Sequence, residues 1–247
     1  IDKYSLKGKH GGDMNFETQS RGMIVLHRFN LFKRLESSVY SFEETLRRLL
    51  ERIERTEQLL MKGTGNVTEE DGDFNEEDSD DLYLEGKYEI DVHHLRIDDY
   101  LEDLSSDKCI IAEIHNSAKK VLEENRDQKL QDLKRVLKKK AIETPYNAGN
   151  RKVLLFTAFA DTADYLYKNL SEEMLKLGVY TACVTGKGVV TNNRFVDKDF
   201  NSVLCAFSPL SKMKKEIPVK EKIDLLIGKD CISEGKNLQD CDTVINF

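Results

Sequence analysis

Three groups of side chains in this sequence could do chemistry, and each has a plainer reading beside it. The densest is the polar run Lys229-Asp-Cys-Ile-Ser-Glu-Gly-Lys-Asn-Leu-Gln-Asp240, set directly behind the apolar stretch Ile223-Asp-Leu-Leu-Ile227. Loops at the carboxyl ends of buried parallel strands are where open α/β sheets take their ligands. Gly235 would let the backbone approach a ligand with no side chain between, and the Asn237 amide can both donate and accept. Taken singly, Gly235 reads as a helix-cap glycine, Asn237 as a turn residue and Glu234 as solvated surface. The second group is His93-His94. Adjacent histidines on a helix face different ways, so solvated surface outweighs a metal site. The third is Lys138-Lys-Lys140, which could touch phosphate but reads more readily as a solvated helix end.

What is missing narrows the chemistry. No GxxxxGK[ST] phosphate loop occurs, and no strand ends in an Asp-Glu pair for magnesium. The five cysteines, Cys109, Cys183, Cys205, Cys231 and Cys241, form no CxxC pair. Such a set fits buried reduced thiols better than a disulfide frame or a zinc site. A cytoplasmic protein is therefore expected. No apolar run is long enough to span a bilayer, and no basic-then-apolar leader opens the sequence at Ile1-Asp-Lys-Tyr.

The elements that must position these groups fall into two halves. The 247 residues are 39% hydrophobic and 34% charged, with only three prolines and fourteen glycines. That suits one large or two modest domains with real cores. The net charge of −7 is uneven: between residues 65 and 107 seventeen acids face only Lys87 and Arg96, so the rest of the chain carries +8. An acidic insertion in a mildly basic body leaves room for a nucleic-acid surface, although most charge runs do no more than solvate.

Residues 1–149 read as a helical segment. Ser41-Phe-Glu-Glu44 has the form of a capping box. Behind it Phe42, Leu46, Leu49, Leu50, Ile53 and Leu60 recur at helical spacing to about Lys62. Glu69 to Asp81 holds nine acids and almost nothing apolar, so a mobile acidic loop is expected over about 63–82. Its removal should cost little, since loop-closure entropy changes by only about 0.6 kcal/mol per doubling of length. Helical patterning resumes near Glu89 and continues to about Glu143. The punctuation at residues 144–150 marks the expected domain boundary.

From residue 150 the period changes. Val153-Leu-Leu-Phe156 predicts a buried strand. Asp161 is placed to cap a helix that Gly178 stops. Val179–Val184 predicts a second strand and residues 199–207 a short helix, and strands follow at 223–227 and 242–247. Alternating strands and helices mean an α/β fold with a parallel, doubly wound sheet and helices on both faces.

Two blocks of this half resemble conserved motifs of superfamily-two helicases, in the bacterial Swi/Snf-like branch. Arg151-Lys-Val-Leu-Leu-Phe-Thr-Ala-Phe-Ala-Asp-Thr-Ala-Asp-Tyr-Leu166 is similar to motif IV, and the stretch from Ile223 to Phe247 is similar to motif V and the strand after it. Val184-Thr-Gly186 stands where the family has a turn facing nucleic acid. Phe32-Lys-Arg-Leu-Glu-Ser-Ser38 resembles the helix that opens the second lobe. The resemblance implies a RecA-like second lobe at 150–247, cut before the arginine-rich motif VI. It implies nucleotide contacts from Asp230, Glu234, Gly235 and Asn237, the last at the ribose. It implies nucleic-acid contacts from Thr185, Gly186 and Lys229. Where the family carries threonine this chain has Lys229, leaving either a charge contact to phosphate or a changed role. ATP and Mg2+ would then be held mainly by a first lobe elsewhere in the parent chain, and DNA or RNA would be the substrate. No catalytic residue and no resident metal are expected in this chain, which should hydrolyse nothing alone. The competing reading is a catalytically silent RecA-like module whose helical half and acidic loop recruit a protein partner. A Rossmann-type enzyme is disfavoured because no GxGxxG follows the first strand.

Overall fold

The structure, a computed structural model, describes residues 14–62, 66–67, 90–91, 96–213, 217–229 and 237–247. Of the loop expected over about 63–82 only residues 66–67 are described, as strand; the rest of it, His93-His94, and Asp230, Glu234 and Gly235 lie outside the described residues. The chain forms two compact units, 1–125 and 126–247. The division falls earlier than the punctuation at 144–150.

The first unit is helical. Helices α1 (Met14–Ser37), α2 (Val39–Lys62) and α3 (Ile97–Glu123) pack in sequence order, α1 on α2 and α2 on α3. Short strands β1 (Asn66–Val67) and β2 (Ile90–Asp91) pair antiparallel. Helix α2 buries Leu46, Ile53 and Leu60 at heptad spacing, and Leu60 packs with Ile97, Tyr100 and Leu101 of α3. The capping box is displaced. Helix α2 starts before Ser41, and it is the Ser38 hydroxyl that accepts from the Ser41 N–H, at 3.0 Å. Ser41 lies inside the helix, where its Oγ accepts from buried Arg34 at 3.2 Å. Glu44 is drawn sideways to Arg47 instead of back to a cap. A charge-assisted bond to a guanidinium outcompetes one neutral cap N–H. Where helical patterning was expected from Glu89, residues 90–91 are strand, and α3 begins at Ile97.

The second unit opens with α4 (Gln128–Glu143), which follows a left-handed turn at Asn125. Asp127, 5% exposed, caps this helix by accepting from the Leu130 N–H at 3.0 Å. Its other oxygen accepts from the Tyr165 hydroxyl at 2.9 Å, tying α4 to the helix of Tyr165. Strands β3 (Val153–Phe156), β4 (Thr181–Thr185), β5 (Gly188–Thr191), β6 (Leu225–Gly228) and β7 (Val244–Asn246) form one sheet in the order β5-β4-β6-β3-β7. Helix α5 (Ala160–Lys176) follows β3, and α6 (Phe200–Phe207) follows β5. Four strands are parallel, and β5 is antiparallel to β4. The sheet is therefore mixed, not purely parallel as expected.

Alternation along the strands divides the core. Leu154, Ala182, Val184 and Leu226 pack with Val203, Leu204 and Phe207 of α6. The intervening Leu155, Cys183, Leu225 and Ile227 point to the opposite face and are at most 1% exposed, where α5 lies against β4 and β6 through Leu166, Leu170 and Met174. Gly178, in the left-handed region at φ 70°, ends α5 as the sequence suggested. Asp161, however, is not the cap: Phe159 occupies that position, and Asp161 is buried in the first turn.

Candidate nucleic-acid interface

In the parallel part of the sheet the strand ends line up. Cα register pairs Phe156 with both Gly228 and Asn246, and Val184 with Gly228. The ladder continues one residue past the strands: the Lys229 N–H donates to the Val184 carbonyl at 3.4 Å, and the Thr157 N–H to the Gly228 carbonyl at 3.1 Å. The Phe247 N–H donates to the Phe156 carbonyl at 2.9 Å. The carboxyl edge is thus an ordered row of backbone, in which β6 delivers Lys229 beside the end of β4.

Thr185 closes β4 and is 8% exposed, its Cα paired with Gly188. Gly186 and Lys187 make the two-residue turn into β5, both exposed. Gly188 takes φ 130°, a conformation costly for any side chain, so the turn can be this tight. Thr185, Gly186 and Lys229, chosen from the sequence, therefore meet at one edge.

Two cations join them that the sequence reading did not select. Lys187 sits in the turn itself. Lys129, in the first turn of α4, holds its ammonium 4.2 Å from the centroid of Phe247, the residue after β7. In sheet order the lysines run Lys187 off β4, Lys229 off β6 and Lys129 over the end of β7. With strands about 4.8 Å apart, the row spans roughly 14 Å. The signal for Lys187 was present as Thr-Gly-Lys-Gly between apolar runs, a hairpin pattern. For Lys129 there was none, because its place at this edge depends on a helix remote in sequence.

Asn237 is exposed and stands one residue before Leu238, which packs into the α6-side core. Among the described residues no hydrogen bond joins it to Lys229. Asp240, at the end of the same polar run, has reached the opposite edge, where it accepts from the Leu210 and Ser211 N–H groups at 2.8 and 2.9 Å. This path follows from topology, since β7 runs parallel to β6 and the connection must return to the amino edge.

No family model matches the chain, and no curated protein matches its sequence.

Further properties bound what the edge can do. Among the described residues no group of three His, Cys, Asp or Glu side chains could hold a metal ion. No described helix is long and apolar enough to cross a membrane. Cys109, Cys183, Cys205 and Cys241 are free thiols, and burial pushes the Cys241 thiol above its ordinary range. Three lysines on an ordered backbone edge make a short cationic track suited to phosphates.

Proposed function

We infer that the second unit is a RecA-like lobe of a nucleic-acid-dependent ATPase of the Swi/Snf-like type, which contacts a nucleic-acid backbone through its carboxyl edge. The observation that carries this reading is the row Lys187, Lys229 and Lys129 at the ends of β4, β6 and β7, beside Thr185 and Gly186. The strand order supports it too. The first strand, β3, lies between the third and fourth parallel strands: the chain passes from it to β4 on one side and later from β6 to β7 on the other, and open sheets bind ligands where the strand order reverses.

Phosphate contacts position a duplex or single strand without reading its sequence, and lysine is suited to that as a point charge. Lys229 then stands in for the family's threonine by charge. ATP and Mg2+ belong mainly to a first lobe in the parent chain. Bound there, they supply the phosphoryl chemistry, while this chain contributes the Asn237 amide and the backbone around motif V. Lobe closure against those groups would couple hydrolysis to movement along DNA or RNA. The free thiols suit work in the reducing cytoplasm. The competing reading, a silent interaction module, lacks a role for the lysine row.

The chain should bind oligonucleotides weakly, with log K falling against log salt at a slope of about −2 to −3, the value for three phosphate contacts. Lys229→Glu should weaken binding about equally for all sequences and reduce the magnitude of that slope by about 1. Fluorescence anisotropy across a salt series measures both. Affinity indifferent to salt, or unchanged in the variant, would contradict the interface.

A further inference from the structure

The opposite edge of the sheet, where the parallel strands begin, carries a second surface that the reading above does not use. A cleft of about 800 Å³ opens beside Lys152 and Lys222, the residues leading into β3 and β6. Its outer wall is aliphatic, formed by Leu210, Ile217, Pro218 and Val219, with Leu210 68% and Val219 79% exposed. Next to Val219, the Lys220 ammonium lies 5.2 Å from the Phe195 ring centroid, and the Arg194 guanidinium lies 4.9 Å from the same ring. Neither cation pairs with a carboxylate among the described residues.

This surface is held from within. Asn193, 1% exposed, donates its amide to the Lys220 and Lys222 carbonyls at 2.9 and 3.0 Å. Its side-chain oxygen accepts from the Phe195 N–H at 3.0 Å. One buried side chain therefore fixes the aromatic turn and the cationic loop against each other, so little ordering entropy remains to be lost on binding. Acids stand beside the cleft as well: Glu221 lies between Lys220 and Lys222, Asp224 faces the charges of Lys152 and Lys222, and Asp240 lines the cleft itself, so the cations left to a ligand are Arg194 and Lys220. Asp240 accepts from Leu210 and Ser211, and Asp199 caps α6 through the Ser202 N–H at 3.0 Å. Lys152 is engaged too, donating to the Phe207 and Ile223 carbonyls.

We propose that this amino-edge surface docks an acidic peptide segment bearing aliphatic side chains, its carboxylates on Arg194 and Lys220 and its aliphatic groups against the cleft's outer wall. Arg194 and Lys220, on either side of Phe195, select an anion, and the wall selects its class. A nucleic acid would use the cations but gain nothing from proline, leucine and valine, and the ring on which a base would stack already carries two cations. An acidic peptide with leucine or isoleucine uses both features together, with an apolar anchor inside a charged rim.

The test uses the whole chain and a fluorescein-labelled peptide alternating glutamate with leucine and isoleucine, followed by anisotropy. Binding is expected, weakening as salt rises. Arg194→Glu with Lys220→Glu should lower affinity about tenfold or more, and Leu210→Ser with Val219→Ser should weaken it separately. All four positions are exposed, and circular dichroism checks that the variants fold. Absence of binding, or binding indifferent to both pairs, overturns the proposal. An oligonucleotide lost on charge reversal but indifferent to the serine pair, with no peptide bound, would make this a nucleic-acid surface and overturn it equally.

Discussion

Asp242→Ala should destabilise the second unit by about 3–5 kcal/mol, the usual cost of removing one partner from a buried ion pair. The Asp242 carboxylate accepts from the Lys140 ammonium at 2.6 Å, and the two side chains are 10% and 3% exposed. It also accepts from the Asn147 amide at 3.0 Å and the Thr243 hydroxyl at 2.9 Å. Without it, Lys140 is left buried with only the Tyr146 ring, 5.4 Å away, to face its charge. Lys140→Met should cost less, because Asp242 keeps two neutral donors and the methionine fills the same space. A double variant should cost less than the two single changes added together, since no unpaired charge remains. Burial alone would raise the Asp242 pKa, but the hydrogen bonds from Lys140, Thr243 and Asn147 outweigh it and hold the carboxyl below its ordinary range. The sign follows from linkage. A carboxyl depressed in the folded state contributes fully above its unfolded pKa of about 4 and loses that contribution as pH falls further. Urea titrations at neutral pH and near pH 3 should therefore show the gap between wild type and Asp242→Ala narrowing in acid.

Phe207→Ala should cost about 3–5 kcal/mol and lower Tm by about ten degrees. The ring is 0% exposed and lies in the α6-side cluster with Leu154, Val184, Val203 and Leu226. Alanine would leave a void that a sheet held on its other face by α5 cannot close. The Lys152 ammonium, 5.2 Å from the ring centroid, would lose that contact while keeping its carbonyl acceptors. Burial already draws the Lys152 pKa down, so opening a void beside it removes contacts where the charge is least hydrated. Phe207→Leu should recover more than half of the loss. Thermal unfolding of the three proteins measures the order, and equal Tm for alanine and phenylalanine would show that the cluster is not the core described.

How far the fold could be read in advance follows from the range of the interactions involved. β3, α5 and β6 were legible because short apolar runs bounded by turn residues leave few alternatives. β5 was missed although Thr185-Gly-Lys-Gly188 has the form of a hairpin turn, because Thr185-Gly186 was read as a turn meeting a ligand. The true cap of α2 was masked by a better local pattern: Ser41 and Glu44 fit the box, but Arg34 and Arg47 take their side chains. Helix α4 gave a clear amphipathic period and no clue to its neighbour. Asp127 and Lys140 make that choice through Tyr165 and Asp242, and single long-range partners leave no trace in a local pattern. At the candidate interface Thr185, Gly186 and Lys229 were legible as strand ends. Asn237 was grouped with Lys229 by proximity in sequence, and the run that holds them ends at the far edge with Asp240.

The central claim is that nucleic acid lies along the carboxyl edge, and ultraviolet crosslinking of bromouracil-substituted DNA and RNA, mapped by mass spectrometry, tests it most directly. The account predicts adducts on peptides containing Thr185 to Lys187, Lys229 and Lys129, suppressed together by rising salt. Adducts confined to the amino edge around Phe195 and Lys220, or to the helices of the first unit, would contradict it.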